Sequence, residues 1–538
     1  MGRDELAAEL LPIWRSVLGD AAEIQEDTDF FRLGGHSMHG ARLMARVSKR
    51  FGVELPIQLI FEEPVFGRFV TLVHDALGRP AEAPVPVGHT SAPLSAQQRE
   101  LLRLEELLGP SPVSNMVLVA ELGVPVRTPS LRSALSALPV RHPVLRAAFD
   151  MDAGRQVLRP ATEVPLEELD IDVPPMEPSR QASAVRRAVR RAYLRPFDPA
   201  AGGMLRAQLI RVPGRGPLLA LHLHHLVADG VSQEVLLEDL AAEYAALTGP
   251  PIPGTPAAAP APPSAGYLDY AVWQHERRSA VLASSAAHWR EVVRALVTDP
   301  TRTLLTRPAP ATRFTRGSAV VPADTVAAVR RWASHDGGTD FMVVAAAVAG
   351  ALHAMSGQTW TGLGTLLDNR SRTEFDRTVG PMANSGLLAV QAGPDATPGQ
   401  LLARVRAELL RAWQWSELPL ELMLERPAQD AGLSPGELVD MVVTVERPFR
   451  SEGGALPMTV VPDEGEPMMP AVPATRRDLT ATVQAGGELA LTLEYADDAA
   501  EKDHAAAFLA ALTHVFGRFA DHPGEPVGRE FTLVEGRP

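Results

Sequence analysis

Apolar residues recur three or four positions apart in the first 77 residues of the chain. In residues 3–18 they fall on one face of a predicted helix. After a polar loop, residues 37–52 repeat this spacing between an opening serine and a closing glycine, which predicts a second helix. A short apolar segment and a last helix near residues 65–77 complete a pattern typical of a small helical bundle.

Beyond the bundle the pattern changes to a mixture of strand-like and helix-like segments. Strands are predicted for runs such as PLLALHLHH, MVVTVE and ELALTLEY, and helices for PGQLLARVRAELLRAW and AAAFLAALTHVFGRF. Because both kinds of segment occur in both halves of this region, we expect two mixed α/β lobes.

Two stretches rich in proline, alanine and glycine divide the chain into units. One follows the bundle, and the other, residues 249–266, interrupts the mixed region near its middle. The 538 residues are too many for one hydrophobic core, so a multidomain protein is expected. The predicted bounds are 1–77 for the bundle, 78–92 for a linker, 93–265 for the first lobe and 266–538 for the second lobe.

Composition and charge narrow the functional classes. The hydrophobic fraction of 46% and the charged fraction of 22% are those of an ordinary globular protein. A net charge of −14 argues against nucleic acid or an anionic membrane as the main partner. The absence of cysteine excludes disulfides, thiolate metal sites and cysteine nucleophiles. An acidic N-terminal segment argues against a secretory leader, so we expect a cytoplasmic protein.

The segment LHLHHLVADGVS, which ends at Ser232, places three histidines and an aspartate in an apolar run. Alternation predicts a strand, with His222 and His224 on one face and His225 among leucines on the other. A helix follows, which Ser232 can cap. No further metal ligand lies at a familiar offset, so a metal site is disfavoured. Hydrogen-bonded core histidines and a catalytic base both stay open.

Ser37 opens the second predicted helix, where an isolated serine is most simply a cap. The segment around it, DTDFFRLGGHSMHGARLMARV, resembles the phosphopantetheine attachment segment of peptidyl carrier proteins. The shared motif positions are Asp29, Phe30, Leu33, Gly34, Gly35, His36 and Ser37. The resemblance implies a four-helix carrier with 4′-phosphopantetheine joined to Ser37 through a phosphodiester. A phosphate there would meet the free N–H groups of a helix N-terminus.

Four positions of the histidine segment, His224, His225, Asp229 and Gly230, resemble the signature of condensation domains of nonribosomal peptide synthetases. Six further segments resemble the other motifs of this family in the expected order: PLSAQQRELLRL, RHPVLRAAF, YLDYAVWQ, a degraded VGPMANSGLL, ELPLELML and RRDLTATV. With the carrier segment, the resemblance covers nearly the whole chain. It implies a chloramphenicol-acetyltransferase-like fold of two mixed α/β lobes in a V, with the site at their junction and a tunnel opening on each side.

The resemblance also implies a reaction, in which an acceptor amine attacks the thioester carbonyl of a donor aminoacyl or peptidyl group and the donor moves to the acceptor. It assigns the chemical role to His225, which either takes a proton from the amine or orients it. Because the carrier precedes the condensation unit, we expect it to be the donor carrier, with the arm on Ser37 reaching His225.

The other residues of the motif are expected to support the site. His224 and Asp229 are expected to be structural, and Asp229 needs an ion pair if it is buried. The candidate partners of Asp229, all arginines, are Arg370, Arg372 and Arg146. Gly230 permits a backbone close to the reacting atoms, and Asn384 is retained from the degraded fifth motif.

Three rival functions share this fold. An epimerisation domain would invert a carrier-bound Cα, but its EGHGRE motif is not found in the sequence. A non-catalytic docking domain typically lacks the second histidine, which is present here as His225. A stand-alone acyltransferase that uses coenzyme A is disfavoured by the attached carrier.

The expected partners follow from the same resemblance. They are a downstream acceptor carrier, an upstream adenylation domain and a phosphopantetheinyl transferase, with no nucleic acid and no membrane. The chain is expected to be a portion of a larger synthetase. An acidic carrier, with 8 basic and 12 acidic residues in 1–77, and an arginine-rich condensation part suggest electrostatic steering between the two.

Overall fold

The structure is a computed structural model, and the statements below concern the residues that it describes. These are 2–18, 23–33, 35, 37–53, 55, 58–77, 87–108, 112–248, 263–299, 314–335, 337–370, 372–446, 450–451, 456–461, 477–484, 486–497 and 499–527. No helix within these ranges is both long and apolar enough to cross a membrane.

The N-terminal unit is a bundle of four helices. They are α1 (Arg3–Leu18), α2 (Ser37–Phe51), α3 (Gln58–Glu62) and α4 (Phe66–Ala76). Aromatic rings pack edge to face in its core, where the ring centroids of Phe30, Phe66 and Phe69 lie 5.3, 5.0 and 5.6 Å from that of Trp14. The small helical bundle predicted from the apolar spacing is confirmed.

Most of the first lobe is built from the strands and helices between residues 91 and 248. They are β1 (Ser91–Pro93), α5 (Ala96–Leu108), β2 (Asn115–Leu122), α6 (Thr128–Arg141), β3 (Ala147–Asp150), β4 (Arg155–Leu158), β5 (Leu166–Asp170), α7 (Pro178–Tyr193), β6 (Leu205–Arg211), β7 (Leu218–His224) and α8 (Gly230–Thr248). Strands β1, β4 and β3 form a small separate sheet.

The second part of the chain begins with the 31-residue helix α9 (Tyr267–Val297). The elements that follow are β8 (Phe314–Val321), α10 (Ala323–His335), α11 (Asp340–Ser356), β9 (Trp360–Leu367), β10 (Asn384–Gln391), α12 (Pro398–Gln414), α13 (Leu420–Asp430), β11 (Met441–Glu446), β12 (Arg450–Ser451), β13 (Met458–Val460), β14 (Arg477–Val483), β15 (Leu489–Ala496) and α14 (Ala499–Asp521).

Each lobe is built on a six-stranded mixed sheet. The order in the first lobe is β12-β13-β2-β7-β6-β5, and the order in the second lobe is β10-β9-β11-β14-β15-β8. Helix α11 is apolar on all sides, with Thr339 as its N-cap and Gly357, at φ 76°, as its C-cap. Such a helix must be buried, and it lies in the core of the second lobe. The expected pair of mixed α/β lobes is confirmed.

The structure corrects the predicted boundary between the lobes. Strand β13 belongs to the second half of the sequence, but it pairs with β2 in the sheet of the first lobe. Leu456 and Met458 are buried in the core of that lobe. The range 266–538 therefore does not form the second lobe alone, because a segment crosses over to pair with the edge of β2 that would otherwise be unpaired.

The predicted linker is also shorter than residues 78–92. The backbone N–H groups of Gly88 and His89 donate to the Asp269 carboxylate, and the His89 ring lies 2.6 Å from the same oxygen. Strand β1 begins at Ser91 and pairs with β4. Residues 88–92 thus belong to the two-lobed unit, since their polar groups are bonded to it.

Candidate active site

The histidine segment joins a central strand to a helix. Strand β7 lies between β2 and β6 and ends at His224. All seven of its residues are buried, so this strand is covered on both sides. The predicted alternation is kept, because Leu219, Leu221 and Leu223 pack in one core cluster and Leu218 and Ala220 in another. His225 lies in the turn that follows, and α8 begins at Gly230.

The turn fixes the tautomer of His225. Its Nδ1 lies 2.8 Å from the carbonyl oxygen of Ala228, which can only accept, so Nδ1 carries the proton when the ring is neutral. Its backbone N–H donates to the carbonyl of Ser114 at 2.7 Å. The ring is partly exposed. Its Nε2 is therefore left as a proton acceptor on a ring whose orientation is held by the backbone.

His224 has the opposite tautomer. The backbone N–H of Leu226 donates to its Nδ1, so the proton of the neutral ring lies on Nε2. That nitrogen is 2.9 Å from the carboxylate of Glu105 on α5. His224 is buried, and the edge of its ring meets Phe197. Its ring nitrogens are thus both engaged with the protein.

Asp229 is buried, and of its three candidate partners it is Arg370 that lies beside it. Arg370 binds it with two parallel hydrogen bonds of 2.9 Å, and both side chains are at most 3% exposed. Arg372 instead lies over the ring of Trp273 at 5.5 Å. Arg146 donates to the backbone carbonyls of Pro139 and Arg159.

The Asp229 carboxylate accepts further hydrogen bonds from the backbone. The N–H groups of Met382 and Ala383 reach one oxygen at 3.0 Å, and the N–H and hydroxyl of Ser232 reach the other at 2.8 and 2.7 Å. Burial alone would raise the pKa of Asp229, but the charge of Arg370 and these hydrogen bonds hold that pKa below its ordinary value.

Asp229, and not Ser232, caps helix α8. Ser232 is the third residue of the helix, and its N–H donates to the Asp229 side chain, as expected for an N-cap aspartate. The Ser232 hydroxyl also accepts from the N–H of Gly380 at 3.0 Å. The predicted serine cap is therefore wrong, because the serine lies one turn inside the helix and links it to the second part of the chain.

Two glycines of the site differ in their surroundings. Gly380 has φ 155°, and a Cβ there would lie 1.9 Å from the ring of Tyr267, so no side chain fits. Gly230 has no atom within 4 Å of an added Cβ. The space beside Gly230 is open, and its expected role next to the reacting atoms stays a prediction. Asn384 begins β10 and donates from its amide to the Ser416 carbonyl.

Segments that are distant in sequence meet at α9. Ser95 hydrogen-bonds the hydroxyl of Tyr267 at 2.7 Å, and Gln97 donates to the hydroxyl of Tyr270 at 2.9 Å. Gln274 donates to the side chain of Gln97 at 2.9 Å and to the carbonyl of Glu417. The first, fourth and sixth motif segments are thus joined by one buried polar network.

A second buried cluster, around Asp239, was not predicted from the sequence. Asp239 on α8 is 2.7 Å from Arg141, from His142 and from Arg377. Arg141 and His142 open the motif segment RHPVLRAAF, so the signal was present, but no pairing could be inferred from it. The pKa of Asp239 is below its ordinary value, because hydrogen bonds and the nearby cations outweigh burial.

The carrier bundle has the backbone that a modified Ser37 requires. Ser37 is the first residue of α2, so the free N–H groups of the helix begin there. A Cβ on Gly35 would lie 2.5 Å from the ring of Phe30 and 2.6 Å from its carbonyl, so only glycine fits this approach. Gly34 and His36 lie outside the described residues. The residues present fit a phosphopantetheine group on Ser37.

The fold and the histidine turn define a two-lobed α/β domain of chloramphenicol-acetyltransferase-like fold, preceded by a helical carrier. Comparison with protein families agrees: residues 89–537 match the Condensation domain, and residues 8–73 match the Phosphopantetheine attachment site. The chain therefore belongs to the condensation domain family and carries a phosphopantetheine attachment domain in front of it.

Relatives in sequence are peptide synthetases. A linear gramicidin synthase of Brevibacillus parabrevis is 30% identical over 81% of this chain. The phosphinothricin tripeptide synthetase PhsC of Streptomyces viridochromogenes is 34% identical over 66% of this chain. The chain spans only 6% and 32% of the lengths of these two relatives.

Solved structures show the same fold. The X-domain in complex with OxyB from teicoplanin biosynthesis is 23% identical, with a TM-score of 0.64 over 84% of this chain and 97% of that one. The first condensation domain of the calcium-dependent antibiotic synthetase is 20% identical, with a TM-score of 0.65 over 82% of this chain and 99% of that one.

Proposed function

We propose that this chain is the carrier–condensation portion of a nonribosomal peptide synthetase and that it forms a peptide bond. The donor aminoacyl or peptidyl thioester is held on Ser37, and the amine of an acceptor on a downstream carrier attacks it. The observation that carries the proposal is the imidazole of His225, whose Nδ1 is bonded to the Ala228 carbonyl and whose Nε2 is left to accept a proton.

In the proposed reaction a nitrogen–carbon bond forms at the thioester carbonyl, and the carbon–sulfur bond breaks. The phosphopantetheine group supplies the thiol that holds the donor and that remains on the carrier after transfer. His225 Nε2 accepts the proton lost by the attacking amine and can return it to the departing sulfur, so the proton count balances. A His225 that only orients the amine would rely on the proximity of two tethered reactants.

The ion pair behind the histidine turn positions it. Asp229 is four residues after His225, and it fixes both the start of α8 and the segment at Met382. Because Arg370 neutralises Asp229 from the second part of the chain, the pair holds the two sides of the site together. We therefore assign Asp229 and Arg370 positioning roles, with no contact to the reacting atoms.

Epimerisation is the second function to test, because it would use the same histidine to remove the α-proton of the carrier-bound residue. The fold does not separate condensation from epimerisation. It also does not separate them from a docking role, since the X-domain that forms a complex with OxyB in teicoplanin biosynthesis shares the fold. The motif segment YLDYAVWQ, whose Tyr270 and Gln274 join the buried network, favours condensation.

The proposal can be tested by intact-mass measurement of the loaded carrier. Ser37 is charged by a phosphopantetheinyl transferase from an aminoacyl-coenzyme A, and a soluble amino-acid thioester is added as acceptor. We expect His225→Ala to lower the rate of donor transfer by about 100-fold or more. The control is His275→Ala, which removes an exposed histidine of α9 and leaves transfer unchanged.

The rival outcomes are distinct in the same experiment. A donor that stays on Ser37 while its α-proton exchanges with deuterated solvent would replace condensation by epimerisation. A fully loaded parent protein that neither transfers nor exchanges would favour the docking role. Transfer at equal rates by the parent and by His225→Ala would remove His225 from the chemistry.

A further inference from the structure

A row of aromatic rings crosses from the carrier bundle to the second lobe. Within the carrier, the ring of Phe31 stacks on that of Phe61, with centroids 4.8 Å apart. The centroid of Phe61 is 5.9 Å from that of Trp413 on α12. Both phenylalanines are buried, whereas Trp413 is only partly covered. The contact between the two units therefore continues the aromatic packing of the carrier core.

An arginine of the second lobe holds the carrier main chain at the same place. The guanidinium of Arg406 on α12 donates to the backbone carbonyl of Phe61, near the end of α3. Gly337, in the turn between α10 and α11, has φ 66°, and a Cβ there would lie 3.4 Å from Nη1 of Arg406 and 3.5 Å from the ring of Phe31. Because its acceptor is a carbonyl, the Arg406 bond responds to the path of the carrier backbone and not to a carrier charge.

Arg406 and Trp413 lie on one face of α12, with Leu410 between them. Their spacing of four and three residues places the three side chains in one row along the helix. All three are partly buried, and Leu410 and Trp413 pack against a core that includes Phe61. We call these three residues the α12 docking face. Departure of the carrier would uncover apolar surface on this face, so an apolar partner surface is favoured there.

Overall charge does not draw the two units together. Residues 1–77 contain 8 basic and 12 acidic residues, and the whole chain has a net charge of −14, so the rest of the chain is acidic as well. Like charges repel at long range. The expected steering by opposite overall charges is therefore not favoured, and the aromatic contact and the main-chain hydrogen bond are left to hold the docked carrier.

The docked carrier also lies against a segment that supports the site. Helix α2, which begins at Ser37, contacts the 3₁₀ turn Thr373–Phe375. The ring of Phe375 packs against Tyr270 of α9, with centroids 5.3 Å apart, and Arg370 of the buried ion pair lies just before the turn. The α12 docking face and this turn thus contact two different helices of the carrier, α3 and α2. A carrier held at two points has one orientation relative to the site.

We propose that the α12 docking face selects the donor carrier by shape: Trp413 accepts an aromatic ring at carrier position 61, and Arg406 binds the main-chain carbonyl of the same residue. The partner that fits is a helical carrier with a ring at this position of its third helix, whatever its net charge. The inference rests on the proposed function, in which this carrier is the donor, and it adds the residues that determine which carrier docks.

The test measures docking separately from chemistry. The chain has no cysteine, so spin labels can be attached at cysteines that replace Ala8, exposed on α1, and Ala506, exposed on α14. In the full chain, converted to the phosphopantetheine form and checked by intact mass, pulsed electron paramagnetic resonance measures the distance between the labels. We expect one narrow distribution. Because salt does not screen apolar contact, the distribution should stay narrow at about 1 M NaCl.

Variants on both sides of the contact probe its two parts. Trp413→Ala removes the ring of the second lobe, Phe61→Leu removes the carrier ring but keeps an apolar side chain, and Arg406→Ala removes the main-chain bond. Each should broaden the distribution and lower the rate of donor transfer by about tenfold. Phe61→Leu should add little to the effect of Trp413→Ala, since the ring contact is already lost.

The matched control is Trp415→Ala. It removes a second indole at the end of α12, whose ring stacks on His288 of α9, with centroids 6.2 Å apart. The distribution should stay narrow in this variant. Circular dichroism checks that every variant is folded before the labels are compared.

The outcomes separate this inference from the function on which it rests. A narrow distribution in folded Trp413→Ala or Arg406→Ala, or a broad one in the parent, in the Trp415→Ala control or at high salt, overturns recognition by the α12 docking face whatever the transfer rate. Broadening in the docking-face variants with a narrow control supports it, even if the parent protein transfers no donor. A parent that docks normally but fails to transfer would contradict the proposed function alone.

Discussion

Asp229 binds groups from three parts of the chain at once. Its carboxylate caps α8, pairs with Arg370 and accepts from the backbone at Met382 and Ala383. A buried carboxylate is tolerated only when its charge and its lone pairs are satisfied, and here both conditions are met. Asp229 therefore fixes the turn that holds His225 to the rest of the site.

We predict that Asp229→Asn lowers the free energy of unfolding by about 3–5 kcal/mol, because Arg370 would be left buried without a counter-charge. The measurement is urea unfolding followed by circular dichroism. The control is Asp152→Asn, in the exposed turn between β3 and β4. A loss in Asp229→Asn no larger than in this control would show that the ion pair adds nothing to stability.

The same pair predicts an acid-dependent loss of stability. The pKa of Asp229 in the folded protein is below its ordinary value of 3.8. Its contribution is therefore complete above about pH 4 and is lost as the pH falls through the lower folded pKa. The difference in unfolding free energy between the parent and Asp229→Asn should shrink when unfolding is measured below pH 4. A constant difference from pH 7 to pH 3 would contradict this assignment.

At the scale of elements, α9 joins segments that are far apart in the sequence. Its Tyr270 hydroxyl accepts amide donors from Gln97, Gln274 and Asn369 at 2.9, 3.0 and 3.1 Å. Asn369 has φ 52°, a backbone conformation that asparagine tolerates better than most residues. One phenol thus fixes α5, α9 and the segment that begins at Asn369.

We predict that Tyr270→Phe destabilises the protein by about 1–3 kcal/mol, because buried amide donors lose their acceptor while the ring packing is kept. Thermal unfolding followed by calorimetry measures the loss. Tyr495→Phe, which alters a buried tyrosine of β15 outside this network, is the matched control. Equal losses in the two variants would mean that the hydroxyl of Tyr270 has no special role.

At the scale of the whole molecule, the first lobe is built from both halves of the sequence. Strand β13 completes the sheet of the first lobe, and Arg377 reaches Asp239 across the chain. Phe375, Val379 and Met382 are buried in the core of the first lobe. The site therefore lies where segments of both halves pack together.

We predict that residues 87–299 alone do not fold cooperatively, since they lack β13 and the segment that buries Asp229. Circular dichroism and the dispersion of the amide proton spectrum check this. The matched control is residues 87–538, without the carrier, which should retain a cooperative transition. A dispersed spectrum and a cooperative transition for the shorter fragment would show that the lobes are independent.

The sequence determined the elements and motifs because their signals are local. Apolar spacing predicted three of the four helices of the carrier, whereas α3 lies in the segment described only as short and apolar. The ordered motif segments identified the condensation family, and the carrier segment identified the serine at the start of α2. The alternation correctly predicted strand β7, but it did not show that both faces of the strand are buried. The capping of α8 was misjudged because aspartate and serine are both good caps, and only coordinates show which one lies before the helix.

Only the tertiary structure decided which residues meet. The sequence favoured Arg370 or Arg372 over Arg146 as the partner of Asp229 but did not choose between the first two; packing brings Arg370 to Asp229 while Arg372 lies over Trp273. The crossover of β13 and the position of Glu105 beside His224 depend on contacts between residues far apart in sequence, and the tautomers of His224 and His225 depend on the conformation of the turn between them and α8. The type of a residue determines which groups it can bond. Which of those groups becomes its partner depends on how burial brings distant segments together.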